Sequence, residues 1–201
     1  MLQADQPHLV LASGSTARAA LLQAAGLRFA VQPAALDEAA VKASCRAEGL
    51  DAGDAALTLA ELKAARVRDP DALVIGADQI LVCDGQWFDK PADAAAVRIQ
   101  LQALRGRAHT LETAVVLQRG GRTVWHHLAS PRLMMRPFSD TFLDDYLAAE
   151  GDALLSCVGA YRLEGLGIHL FDRVEGEHAA ILGLPLLPLL GFLRQHRVLA
   201  A

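Results

Sequence analysis

The stretch HLVLASGSTARAALLQAAGLRFAVQP, residues 8–33, limits the possible folds more than any other part of the chain. A short apolar run from His8 to Ala12 reads as a strand and ends in a turn of small residues. An Ala- and Leu-rich helical segment follows, with Ser15 placed as its N-cap and Gly26 as its C-cap. Arg28 to Pro33 then alternates like a strand and stops at proline.

The alternation continues. Asp37 to Glu48 and Asp54 to Arg68 read as helices, and DALVIG and ILVCDG as two further strands, with Asp84-Gly85 as a turn. Ala94 to Leu104 is a helix. AHTLETAVVLQ and RTVWHHLASPRLMMR flank Gly120-Gly121 as the arms of a long hairpin. FSDTFLDDYLAAEG is a helix capped by Ser139, GLGIHLFDRVEG a strand, and LPLLPLLGFLRQH a helix better suited to a core than to a dimer surface. Strands and helices that alternate around a central hairpin predict an α/β fold with a mixed, twisted sheet flanked by helices. The expectation is a single domain over residues 1–201, built as two lobes with a central cleft.

With 53% apolar residues, a chain of this length can fill a core. Its formal charge is -4 with Lys and Arg scattered, so the basic stripe a nucleic-acid backbone demands is missing. Apolar runs are too short to span a bilayer. The opening MLQADQPHLVLASGS places an acid before its apolar run, which argues against a signal peptide. Cys45, Cys83 and Cys157 are odd in number, far apart and outside any metal-ligand spacing, so free thiols in a reducing cytoplasm are expected rather than zinc. His126-His127 sit on a strand-like segment, where neighbouring side chains point to opposite faces.

Chemistry concentrates in a few places. In VIGADQILVCDG, residues 74–85, Asp78 and Gln79 stand between two apolar runs. An ionised carboxylate there is costly to bury unless a partner, a metal ion or a substrate compensates it. In LASGSTAR, Ser13, Ser15 and Arg18 surround a strand–helix turn whose free N–H groups and dipole suit a phosphate. An ordinary capped helix uses the same residues, and the GKS/GKT ending of a Walker loop is missing. Asp37-Glu38 read either as acids favoured by a helix dipole or as the source of one metal ligand. Lys63 and Lys90 read either as surface lysines or as phosphate contacts, and Asp78 beside a phosphate would suit magnesium. GAYRLEGLG sets glycines around Tyr161, Arg162 and Glu164, as in a loop closing over a flat group or in the start of a strand.

Taken in order, LASGSTARAALL, LDE, LAELKAA, VIGADQILVCDG, DKPAD, LRGRAHTLETAVVL, GAYRLEGLG, FDRVEG and ILGLPL resemble the Maf family of nucleoside triphosphate pyrophosphatases from Leu9 to Arg194. The resemblance implies a Maf/ITPase-like fold, frequent homodimers, and hydrolysis of a nucleoside triphosphate to the monophosphate and pyrophosphate with a divalent metal, Mg2+ or Mn2+. It matches Asp78 to the proton acceptor or water-orienting acid and Glu38 to the acid near the metal. Ser13, Arg18, Lys63 and Lys90 match the triphosphate contacts. One departure is visible. Ala19 stands where the family usually carries a second arginine.

The resemblance also bears on the base. Gln79 with Glu164 is the pair of the members acting on 7-methyl-GTP, whereas Thr with Gln marks those acting on dTTP and UTP. A carboxylate accepts both N1–H and the exocyclic amine of guanine but meets the acceptors of thymine and uracil badly. Ala17 departs from that subgroup, which tends to place an aromatic there for stacking on a cationic purine. A house-cleaning enzyme favouring a guanine-type base is the leading expectation. A nucleotide-binding regulator of cell division (a septum formation inhibitor acting through a protein partner) and a phosphatase releasing single phosphates are the rivals.

Overall fold

The first helix begins where its cap chemistry places it. In the computed structural model, which describes residues 2–200, strand β1 (Leu9–Leu11) runs through a four-residue turn into helix α1 (Thr16–Ala24). Ser15 caps α1 by accepting the Arg18 N–H. Gly26, with φ +74°, turns the chain out of the helix into β2 (Phe29–Val31). Helix α2 (Glu38–Ala47) is capped by Asp37. Helix α3 (Ala52–Ala65) starts earlier than its apolar pattern predicts, because Asp51 serves as its cap.

Strand β3 (Leu73–Cys83) corrects the sequence reading. DALVIG and ILVCDG are one continuous strand, and Asp78 lies inside it rather than at a strand end. Gly76 is there for a close approach, not for a turn. A Cβ at this position would stand 2.1 Å from the Ala60 carbonyl oxygen of α3.

Asp84 and Gly85, with φ +48° and +78°, turn β3 back into β4 (Gln86–Phe88), as a two-residue hairpin requires. Helix α4 (Ala94–Leu104) leads to the long hairpin of β5 (Ala108–Arg119) and β6 (Arg122–Ala129) across Gly120-Gly121. Its second arm is shorter than expected. Past Ser130-Pro131 the chain forms a separate strand, β7 (Arg132–Met135), because proline has no N–H to continue the ladder. Helix α5 (Asp140–Glu150) is capped by Ser139 as expected. GLGIHLFDRVEG is only partly a strand: Leu166–Leu170 is a 3-10 turn, and β8 (Phe171–Glu175) follows. Two helices close the chain, α6 (His178–Ile181) and α7 (Leu186–Gln195).

The chain divides into two compact units, with the breaks inside β3 and β5. In the first unit (through Gln79, Thr113–Ala129 and from Glu177 on), β1 lies parallel between β2 and β3, β5 lies beside β3, and β6 runs antiparallel to β5. The second unit (Ile80–Glu112 and Ser130–Gly176) is antiparallel: β4 on the end of β3, and β7 between β5 and β8. The mixed α/β sheet expected from the sequence is therefore what forms.

Alternation along β3 gives the first unit two apolar layers. Leu73, Ile75 and Ala77 face a core with Leu9, Leu11, Leu22, Leu189, Phe192 and Leu193, so the C-terminal apolar run is core as read. Val74 faces the other way, toward Val10 and Ala64. No helix among the described residues is long and apolar enough to cross a membrane.

Candidate active site

Two faces of one strand carry the site of the first unit. Asp78 follows Gly76 and Val74 on the face toward α3, while Gln79 follows Ala77 on the opposite face. Adjacent polar residues thus serve separate surroundings.

On the α3 face, Lys63 Nζ donates to Asp78 Oδ1 at 2.5 Å and to Glu38 Oε1 at 2.7 Å. The Lys63 and Asp78 side chains are 8% and 6% exposed, whereas Glu38 is 45% exposed. Gly76 makes this possible, since the missing Cβ lets α3 come close enough for Lys63 to face Asp78. Asp78 Oδ2 is buried and has no hydrogen-bond partner. Such an atom is costly to desolvate, and it is free to accept a hydrogen bond.

The strand–helix turn lies in the same unit. Arg18 is buried; its Nε donates to the Gly183 carbonyl at 2.8 Å and its Nη1 to Ser13 Oγ at 3.1 Å. Ser13 Oγ also accepts the Ser15 N–H at 3.2 Å, so one hydroxyl fixes both the turn and the guanidinium. Burial pulls the Arg18 pKa below the ordinary guanidinium range, and the negative charges of Asp78 and Glu38 oppose that pull. Four predicted residues besides Ser13 therefore act on one another here: Arg18, Glu38, Lys63 and Asp78. Ala17 and Ala19 are half-buried on α1 and carry no polar group.

On the opposite face, Gln79 Nε2 donates to Thr113 Oγ1 at 2.8 Å and to the Ala180 and Ile181 carbonyls at 3.0 and 3.2 Å. The two backbone carbonyls fix the amide orientation, because only the nitrogen can serve them.

Lys90 and Glu164 belong to the second unit. Lys90 is exposed in the loop after β4. Glu164 is 38% exposed and pairs through Oε1 with Arg162 Nε at 3.5 Å. Among the described residues, no group of three or more His, Cys, Asp or Glu could hold a metal by itself. The cysteines are free thiols, with Cys45 and Cys83 buried.

The Maf-like protein family matches residues 8–196. The chain belongs to the Maf family. A nucleoside triphosphate pyrophosphatase of Granulibacter bethesdensis is 57% identical over 193 residues, covering 95% of this chain and 98% of the relative. One of Rhodospirillum rubrum is 53% identical, with 96% of each covered. The 7-methyl-GTP pyrophosphatase of Rhizobium meliloti is 46% identical, covering 94% of this chain and 96% of the relative.

Sequence reasoning alone missed several parts of this Maf site. Thr113 and the Gly183 carbonyl are tertiary partners of Gln79 and Arg18, with no local sign of it. Gly76 carried a sign, a glycine inside an apolar strand, which marks a close backbone approach.

Proposed function

We propose that this Maf protein hydrolyses a nucleoside triphosphate to the monophosphate and pyrophosphate, using a divalent metal ion and favouring a guanine-type base. The buried, unpartnered Oδ2 of Asp78 carries the reading, because it is a ready acceptor beside a basic, phosphate-suited turn. The names of the relatives support the reaction class.

Water attacks the α-phosphorus, a new P–O bond forms, and the bridging bond to the β-phosphate breaks so that pyrophosphate leaves with the electron pair. Asp78 Oδ2 orients the water and takes its proton. This chemistry needs positioning and charge neutralisation more than covalent help. Arg18, held by Ser13 and Gly183, offers a cation that needs no reorganisation, while Lys63 holds Asp78 Oδ1 and leaves Oδ2 available. Lys63 and Lys90 serve as further phosphate contacts.

Glu38 and Asp78 are the residues that would hold Mg2+ or Mn2+. Two carboxylates around a single ammonium form an oxygen-rich donor set, and magnesium commonly takes only one or two protein carboxylates together with substrate phosphates. Such an ion supplies Lewis-acid stabilisation of charge on the phosphates.

For the base, Glu164 offers a carboxylate to the two donors of guanine, and Gln79, with its nitrogen committed to Thr113 and α6, offers its carbonyl. The R. meliloti relative supports a purine of the 7-methyl-GTP type. Ala17 supplies no stacking ring, so selection falls on the polar edge. A homodimer and a cytoplasmic location complete the reading, the latter supported by three free thiols suited to a reducing compartment.

The test is pyrophosphate release from a panel of canonical and modified triphosphates, each with magnesium or manganese, for wild type and Asp78→Asn. Fastest release from a guanine-type substrate, lost in Asp78→Asn, is the expected outcome. Orthophosphate as the first product would sink the reaction, and faster dTTP or UTP turnover would sink the base assignment.

A further inference from the structure

Within the second unit, the loop GAYRLEGLG is assembled around a buried carboxylate that base selection has not so far required. Glu150, the last residue of α5, has a side chain only 6% exposed. Its Oε1 accepts the Leu166 N–H at 2.8 Å, and its Oε2 accepts Arg162 Nη1 at 3.2 Å. The loop glycines leave room for this arrangement. A Cβ on Gly165 would stand 2.7 Å from Glu150 Oε1, and one on Gly167 would stand 2.3 Å from the Arg162 carbonyl oxygen.

Arg162 extends the chain of charges. While Nη1 is anchored on Glu150, Nε lies 3.5 Å from Glu164 Oε1. A buried anion, a half-exposed cation and an exposed anion thus stand in series. Burial lowers the Arg162 pKa, but Glu164 and Glu150 outweigh it and raise the value above the ordinary guanidinium range, so the cation is permanent.

We propose that Glu150 and Arg162 are positioning residues for base selection, Glu150 anchoring the guanidinium and Arg162 holding the Glu164 carboxylate oriented for a guanine-type edge. This rests on the assignment of Glu164 to the base. A glutamate on an exposed loop loses rotamer freedom when it binds a ligand, and tethering it beforehand removes part of that cost. The ion pair leaves Glu164 able to accept, since Arg162 Nε approaches only Oε1 and each carboxylate oxygen carries two lone pairs. The guanidinium matters because a planar fork can serve two carboxylates in fixed geometry, which an ammonium cannot.

The experiment compares GTP and UTP hydrolysis by wild type, Glu150→Gln and Arg162→Lys, with thermal melting of each. In both variants the kcat/KM ratio of GTP over UTP is expected to fall about tenfold, carried by a rise in KM for GTP rather than by kcat. An equal fall for both substrates would overturn the proposal and leave Glu150 a purely structural residue. If Glu150→Gln melts below assay temperature, Arg162→Lys, which keeps a cation beside the buried carboxylate, decides the question. A wild type that prefers GTP, with variants that keep the preference, refutes the tether alone. A wild type without that preference removes the Glu164 assignment and the tether with it.

Discussion

Replacing Lys63 by methionine should destabilise the protein severely, and replacing Asp78 by asparagine in the same chain should restore most of the loss without restoring activity. Asp78 is 6% exposed on its side chain and its Oδ2 has no partner, so Lys63→Met leaves an ionised carboxylate buried without its cation. Breaking a buried pair on one side costs about 3–5 kcal/mol. The bond from Lys63 to Glu38 adds little, because Glu38 is 45% exposed and such pairs contribute at most about 1 kcal/mol. Asp78→Asn alone keeps the Lys63–Glu38 pair and should cost about 1–2 kcal/mol. The double variant removes both buried charges and should lie within about 1 kcal/mol of wild type. With the double variant near wild-type stability the coupling is therefore about 4–7 kcal/mol, beyond the roughly 0.5–3 kcal/mol usual for residues in contact, because Lys63→Met alone strands a buried charge. Urea unfolding reads these values as shifts in midpoint at unchanged slope, and pyrophosphate release reads activity. Single-variant costs that add to within about 0.5 kcal/mol would refute the reasoning, because a desolvated pair cannot be additive.

Three further outcomes follow from the same geometry. Gly76→Ala puts a Cβ 2.1 Å from the Ala60 carbonyl, so α3 must move; a loss of about 1–3 kcal/mol and at least tenfold lower kcat are expected, and retained activity would separate Lys63 placement from catalysis. Burial pushes the His109 pKa from 6.5 down to about 4. The unfolded chain therefore gains this proton first: the stabilisation is complete above pH 6.5 and is lost as pH falls from there toward 4, about 3 kcal/mol in all. Thermal melting across that window checks this, and His109→Gln should flatten the profile. Chelation with EDTA should abolish pyrophosphate release yet leave Tm within about 1 °C, since Lys63 already compensates both carboxylates; a fall of several degrees would show that the metal is structural.

The parts of this protein that depend on short windows of chain are legible in its residues. Ser15, Asp37, Asp93 and Ser139 each accept an N–H three residues on, so the starts of their helices were readable from the residues themselves. Asp84-Gly85 was readable as a turn and Gly120-Gly121 as a hairpin for the same reason, whereas the short strand β4 after Asp84-Gly85 was not. The ordered blocks gave the family. How those blocks use their polar atoms was settled by packing alone. Gly76 looked like a break between strands and is a seat for α3, because a glycine serves a turn and a close approach equally well. Lys63 is bonded to Asp78, 15 residues away, a partner that its helical segment does not reveal. Arg18 is held by the Gly183 carbonyl, 165 residues away. Such bonds form only when packing brings distant backbone together and removes water, and no local pattern records which partner burial will leave within reach.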